Sequence, residues 1–589
     1  MPTFSPIITV EQDNAGPGIR VNTSISEEAA ILGTTVTLKV DVLKEGAIGG
    51  GTTNPPTTSS TSLDTYSGAW NLDTAARLMR RVTYAPTYAE ISQVKDDNLL
   101  SSLDRLKQEA VPDAGPYYHR QNESGKPSIT VGQSWRGKYD TDGYSASYRT
   151  DSMKNWYWRG VLEGGRGPLY RMRAFWENHF GVNEDGYTTI KEKDRYIQVI
   201  ERNVLGNFRQ MVKEMTINPA MLRRLNGYLN DKREPDENYA REVMELFVLG
   251  LGPNVGGGDY TTYTEDDVAT LARAFTGMRL NIHGERPELP LGDYFFNPDQ
   301  HDTDPKTFSH RFGGATLQPN GENEYKDAID LLFEQPSART FIVEQLYIWF
   351  VSTNINDTVR QNVIKPLGDK LYNDDYEIWP TLRTLLASKH FFEQTTSEAL
   401  YKDPIDYVAS VLRPVGSFVS ASSDDDKIKQ VRLVNDTVAT LGMSFNGPEA
   451  IAGWDAFRKL PWGEQWNSGQ QLADKDAFAS LFFNRGTFNQ GVAWNMNYLD
   501  WAESLPNPRD INAVLDTLEL VYFPSDRIGP NERQGLKEAA LDQLPDGEWT
   551  IQMDQYLDPA QHDGIKSSME KQIAKLLIQV AGSPYFQLS

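Results

Sequence analysis

The chain has 589 residues, 39% of them hydrophobic and 11% aromatic, too many for one simple core, so two to four lobes are expected. A net charge of -23 and an isoelectric point near 4.8 exclude nucleic acid and anionic membrane surfaces as partners, by repulsion. The absence of cysteine rules out disulfides, thiol nucleophiles and thiolate metal sites, and leans towards an extracellular or cell-surface protein over a cytoplasmic one. No apolar run reaches the length of a membrane span, since the longest candidate, 341–351, is interrupted by Glu344 and Gln345. The opening residues, Met1-Pro-Thr-Phe-Ser-Pro, lack the basic and apolar regions of a Sec-type signal.

Residues 1–47 read as a small β module. Val36, Leu38, Val40 and Val42 alternate with polar residues, the period of a strand with one buried face, and 6–10 and 19–22 are its candidate partners. So short a unit is marginal alone and is expected to dock on the body or on another chain. Residues 48–66, rich in Gly, Thr, Ser and Pro, read as a flexible linker. From Trp70 the pattern turns helical, with Asp73 expected to cap a helix ending at Arg81. Residues 113–150 are rich in Gly, Ser and Tyr and read as a long surface excursion. Amphipathic helices follow over 167–181 and 197–225, punctuated at Gly206-Asn207 and Asn218-Pro219.

The most informative stretch is 235–252. At 3.6 residues per turn Glu237, Asn238, Arg241, Glu242 and Glu245 share one polar arc, while Tyr239, Val243, Leu246 and Phe247 take the opposite side. Gly250 and Gly252 are expected to end the helix. A core helix that carries three glutamates and an arginine needs partners for them. Beyond it, Thr264-Glu-Asp-Asp267 is a capping box opening a helix with Val268, Leu271, Ala272 and Phe275 inward. Residues 338–351 form another core helix. Further helices are expected near 379–392, 403–413, 426–441, 472–484, 509–522, 532–543 and 564–581. The predicted fold is mainly α: a multi-helix globular body with long loops, 67–400 forming the core and 401–589 packed on it, preceded by the β module and its linker.

Several stretches resemble, in order, a large and mostly bacterial family called domain of unknown function 1800. They include Ala75–Thr87, Phe175-Trp-Glu-Asn-His-Phe180, Asn218–Leu222, Glu237–Phe247, Tyr263–Val268, Ala274–Gly277, His301–Phe308, Lys402-Asp-Pro-Ile-Asp406 and Ser583–Gln587. The resemblance covers roughly 70–587. It implies the helical architecture and export, without a reaction. The family's Pro-Pro-Asn-Val-x-Gly-Trp segment is replaced here by Gly447-Pro-Glu-Ala-Ile-Ala-Gly-Trp454, and the loop after Gly252 looks lengthened.

Candidate chemistry centres on the polar arc. Glu242 and Glu245 are close enough for one to have a raised pKa and act as acid or base, with Arg241, Glu237 and His179 completing a catalytic set. The same residues could instead be a structural Arg–Glu network. His179, His301, Asp302 and Glu242 would make a mixed nitrogen and oxygen shell for a divalent zinc, manganese or iron ion, and Asp299, Asp302 and Asp304 an irregular calcium site. Two functions follow: a metal-assisted or acid–base hydrolase, or an exported structural or adhesive scaffold. No cofactor-binding motif is present.

Overall fold

The computed structural model describes residues 60–589, apart from 121–124, 140–141, 165–166, 394–399, 418–423, 459–461, 486, 489–491, 525–527 and 543. The β module of 1–47 and linker residues 48–59 lie outside the described residues. Linker residues 60–66 are paired with the body: Thr65 bridges Ser388, the Tyr66 N–H donates to the Ala387 carbonyl, and the His390 N–H donates to the Ser62 carbonyl.

The described residues are mainly helical, with five short two-stranded antiparallel ladders between helices. Thr58–Ser589 is one compact unit, and its hydrophobic cluster draws residues from Ala75 to Phe586. Among the described residues no helix is long and apolar enough to cross a membrane.

Local signals set most helix starts. The first helix, Leu72–Val82, is capped by Asn71, whose side chain accepts the Thr74 N–H while the Thr74 side chain returns the bond. Asp73, the expected cap, sits inside the first turn, where its charge suits the helix dipole. The last turn buries Arg80 and Arg81, which donate to the Leu520 carbonyl and to the Val351 carbonyl (3.0 Å) near the ends of two other helices. Carbonyls without intrahelical partners thus receive charged donors.

The stretch 197–225 breaks where the punctuation places it. Ile190–Asn203 is followed by Phe208–Thr216, capped by Asn207, and by Pro219–Arg224, capped by Asn218 with Pro at the first helical position. The Thr264 capping box opens Glu265–Ala274 with Val268, Leu271 and Ala272 buried, as read. Pro336–Phe350 buries Ile342, Leu346 and Phe350, while Phe341 is only half-buried. The expected 379–392 helix is two, Ile378–Leu386 and Lys389–Phe392, the second restarted by a Ser388 cap. Asp546–Leu557 is a helix that the periodicity missed.

Two larger departures bear on function. The central helix is α-helical only over Asn238–Glu242 and continues as a π-helix over Val243–Val248, with the Leu249 and Gly250 N–H groups both donating to the Met244 carbonyl. Such widened turns are rare and recur at functional sites. The 113–150 excursion, moreover, is exposed over most of 125–133 but turns aromatics inward on either side: Tyr118, Trp135, Tyr144 and Tyr148 are buried, and Trp135 Nε1 donates to Ser152 Oγ at 2.8 Å. Its glycines and serines make turns; its aromatics pack under the long helix Ala146–Glu163, capped by Ser145.

Candidate functional site

The central helix brings Arg241, Glu242 and Glu245 to one surface, and tertiary packing adds partners from elsewhere. Arg241 forms ion pairs with Glu237 (3.0 Å) and with Glu265 (2.7 Å), the residue that opens the next helix. The three side chains are 33%, 45% and 42% exposed, so the expected buried Arg–Glu network is instead a half-exposed one. The reason is geometric: the π-turn sends Val243, Met244, Phe247 and Val248 inward and leaves the arc at the rim of the core.

Glu242 and Glu245 are half-buried. Burial and the neighbouring Glu245 charge push the Glu242 carboxyl above its ordinary range, against the pull of Arg241 and Arg458. Tyr263 donates its hydroxyl to Glu245 Oε2 at 3.2 Å, and burial and Glu245 raise the phenol in turn. Arg458 and Tyr263 were not legible as partners, because neither is near in sequence.

His179 lies at the end of Leu169–Phe180, 7% exposed, among Phe175, Trp176, Phe180 and Phe247. Burial lowers its pKa to about 4, so the ring is neutral at pH 7. Its Nε2–H donates to the Phe247 carbonyl at 3.0 Å, tying the imidazole to the last turn of the π-helix. His179 is thus joined to the central helix as a backbone tie rather than through Glu242 or Glu245.

His301 belongs to a different buried centre. Its Nδ1 faces the Thr276 carbonyl at 2.8 Å and its Nε2 lies 3.0 Å from Glu324 Oε2. Glu324 also pairs with Lys306 Nζ at 2.6 Å and accepts the Asn320 N–H, and both Glu324 and Lys306 are fully buried. Burial pushes the Glu324 carboxyl up, but His301, Lys306 and the Asn320 N–H outweigh it and hold it below the ordinary range. Asp302 is bound by the Arg273 guanidinium at 2.7 Å, and its carboxyl is low by a similar balance.

The metal shell expected from His179, His301, Asp302 and Glu242 is therefore not assembled. His179, His301 and Asp302 each have separate partners, none of them Glu242, and among the described residues no group of three or more His, Asp or Glu side chains is arranged to hold an ion. Asp299 and Asp304 are exposed and do not complete a calcium site with Asp302. Glu324, the residue that answers His301, lies outside the loop that sequence reasoning singled out.

A family model described as "Protein of unknown function (DUF1800)" matches residues 77–588. The chain belongs to the DUF1800 family. No curated protein and no solved structure matches it.

Several stretches that carried the resemblance become a physical clamp in this DUF1800 chain. Arg171 donates to Asp403 (3.0 Å) and Asp406 (2.7 Å), and to the Arg80 and Thr83 carbonyls, while Asp406 accepts the Ala85 N–H. Burial pushes the Asp403 carboxyl up and lowers Lys402, beside the Phe586 ring, to about 7. The variant segment 447–454 also has a place: the Trp454 N–H donates to Asn178 Oδ1 at 2.9 Å. A side chain at Gly181 would meet the Ile451 carbonyl oxygen at 1.9 Å, so glycine permits that close approach.

Proposed function

We propose that this DUF1800 chain is an acid–base hydrolase whose reacting pair is Glu242 and Glu245. The observation that carries the reading is the raised carboxyl of Glu242, one turn from a second carboxylate on a half-exposed surface. Pairs of carboxyls placed in unlike environments are how enzymes divide acid from base. In this reading Glu242 delivers a proton to the leaving group, and Glu245, oriented by the Tyr263 hydroxyl, accepts one from water. Arg241, Glu237 and Glu265 position the pair, and His179 fixes the π-turn through the Phe247 carbonyl. The lack of cysteine supports an extracellular or cell-surface setting.

A second reading is favoured by the Arg241 ion pairs, which bridge the central helix to the next one and would serve an exported structural or adhesive scaffold equally well. The discriminating experiment assays a panel of chromogenic esters, phosphodiesters and glycosides with wild type, Glu242→Gln and Glu245→Gln. Hydrolysis that falls at least about 100-fold in both variants, at unchanged melting temperature, supports the enzyme. No turnover on the panel, with a lowered melting temperature in the variants, supports the scaffold.

A further inference from the structure

The helix Ala146–Glu163, the segment before it and the start of Leu169–Phe180 enclose a cavity of about 260 Å³, room for one ring-sized molecule. Its aromatic walls are Tyr117, Tyr118, Trp156 and Tyr170, with the His119 imidazole beside them. Arg173 and Arg136 lie 4.6 and 5.1 Å from the Trp156 ring centre, and the indole Nε1 donates to Asp113 Oδ1 at 2.6 Å, which fixes both the ring and the carboxylate. Tyr170 reaches the cavity only because residue 160 is glycine: a side-chain carbon there would stand 1.8 Å from the tyrosine hydroxyl. Arg159 and Glu163, one turn apart and ion-paired at 2.6 Å, stand at the mouth.

The deciding residue is Asn155. It lines the cavity, is 7% exposed, and its Oδ1 has no hydrogen-bond partner among the described residues. That oxygen has almost no accessible surface of its own, and a buried acceptor without a donor is costly, so a turn of the Asn155 amide towards the cavity, where a bound molecule could bring the donor, is favoured. Opposite charges in the lining balance, Asp113 and Glu163 against Arg159 and Lys427, which gives no net attraction to an anion or a cation. We propose that this cavity binds an uncharged polyhydroxylated ring, the chemistry of a saccharide unit. Ring C–H faces pack on the aromatic walls, and hydroxyls donate to Asn155 and the carboxylates while accepting from Arg159. No residue is shared with the Glu242 site, so the inference stands apart from the hydrolase reading.

The test measures binding rather than turnover, on the full chain, by tryptophan emission and saturation-transfer NMR. The probes are glucose, galactose, xylose, N-acetylglucosamine and cellobiose, with choline and citrate as charged comparators. Saturable binding of at least one sugar is expected, weakened about tenfold or more in Asn155→Leu and in Gly160→Ala. Arg159→Ala, at the mouth, is expected to weaken it as well and serves if either interior variant fails to fold. Binding of no sugar, sugar binding that the variants leave intact, or a preference for choline or citrate would each overturn the proposal.

Discussion

The charged arc of the central helix and the His301–Glu324–Lys306 centre invert what a local reading suggests. Arg241 and Glu237 belong to a helix whose other face is core, and Glu265 opens the next one, yet their side chains are a third to nearly half exposed. His301, Glu324 and Lys306 come from a Pro-bounded loop and a separate helix, yet they are almost wholly enclosed. Charge on a core helix escapes to its rim when the helix has one. Charge on a loop is enclosed when another element closes over it, and it then needs a full set of partners.

The sharpest way to break that contrast is Lys306→Met. It leaves Glu324 buried with His301 and the Asn320 N–H but without its lysine, and chemical denaturation should show a loss of about 3–5 kcal/mol. A loss no larger than that of a surface pair would erase the difference between the two regions.

Next in size is the alkaline limb. Lys402 and Lys475 are both lowered by burial to about 7, so above that pH the folded state holds fewer protons than the unfolded chain, whose lysines titrate near 10.5. Stability therefore rises with pH from about 7 upward. In Lys402→Met the rise in urea midpoint between pH 7 and 9 should shrink to about half, Lys475 supplying the rest.

The acid limb follows from His179. Its pKa is lowered by burial from 6.5 to about 4, so its contribution is present above the unfolded value and lost as pH falls through 4. The loss is on the order of 3 kcal/mol. Thermal melts of His179→Phe should depend less on pH between 6.5 and 4 than those of wild type. Unchanged pH dependence would show that His179 does not hold the neutral, carbonyl-bound form.

The smallest effect is expected at the arc itself. Arg241→Ala should cost at most about 1 kcal/mol, less in high salt, because its pairs are solvated. A loss several times larger would return the arc to the enclosed class and favour the scaffold reading over the hydrolase.

These comparisons show what was legible. The Thr264–Asp267 capping box, the Asn207 and Asn218 caps and the apolar faces of Glu265–Ala274 and Pro336–Phe350 depend on residues within a turn or two, so period and cap identify them. Asn71 displaced Asp73 as a cap because both residue types cap well and only backbone angles two residues apart choose between them. In the candidate site, Arg241, Glu242 and Glu245 were found, since helical spacing alone puts them on one face. Tyr263, Glu265 and Arg458, which hold or tune them, were not.

The same division runs through the whole molecule. Sequence by itself determined the helical class, the family, the residues sharing the central arc and most of the caps, because helix hydrogen bonds and side-chain periodicity close within four residues. Tertiary structure alone decided that the arc meets solvent, that His179 and His301 answer a carbonyl and Glu324, and that Tyr117, Asn155 and Tyr170 surround a cavity. Exposure and ion pairing depend on which distant segment arrives, and no local period carries that information.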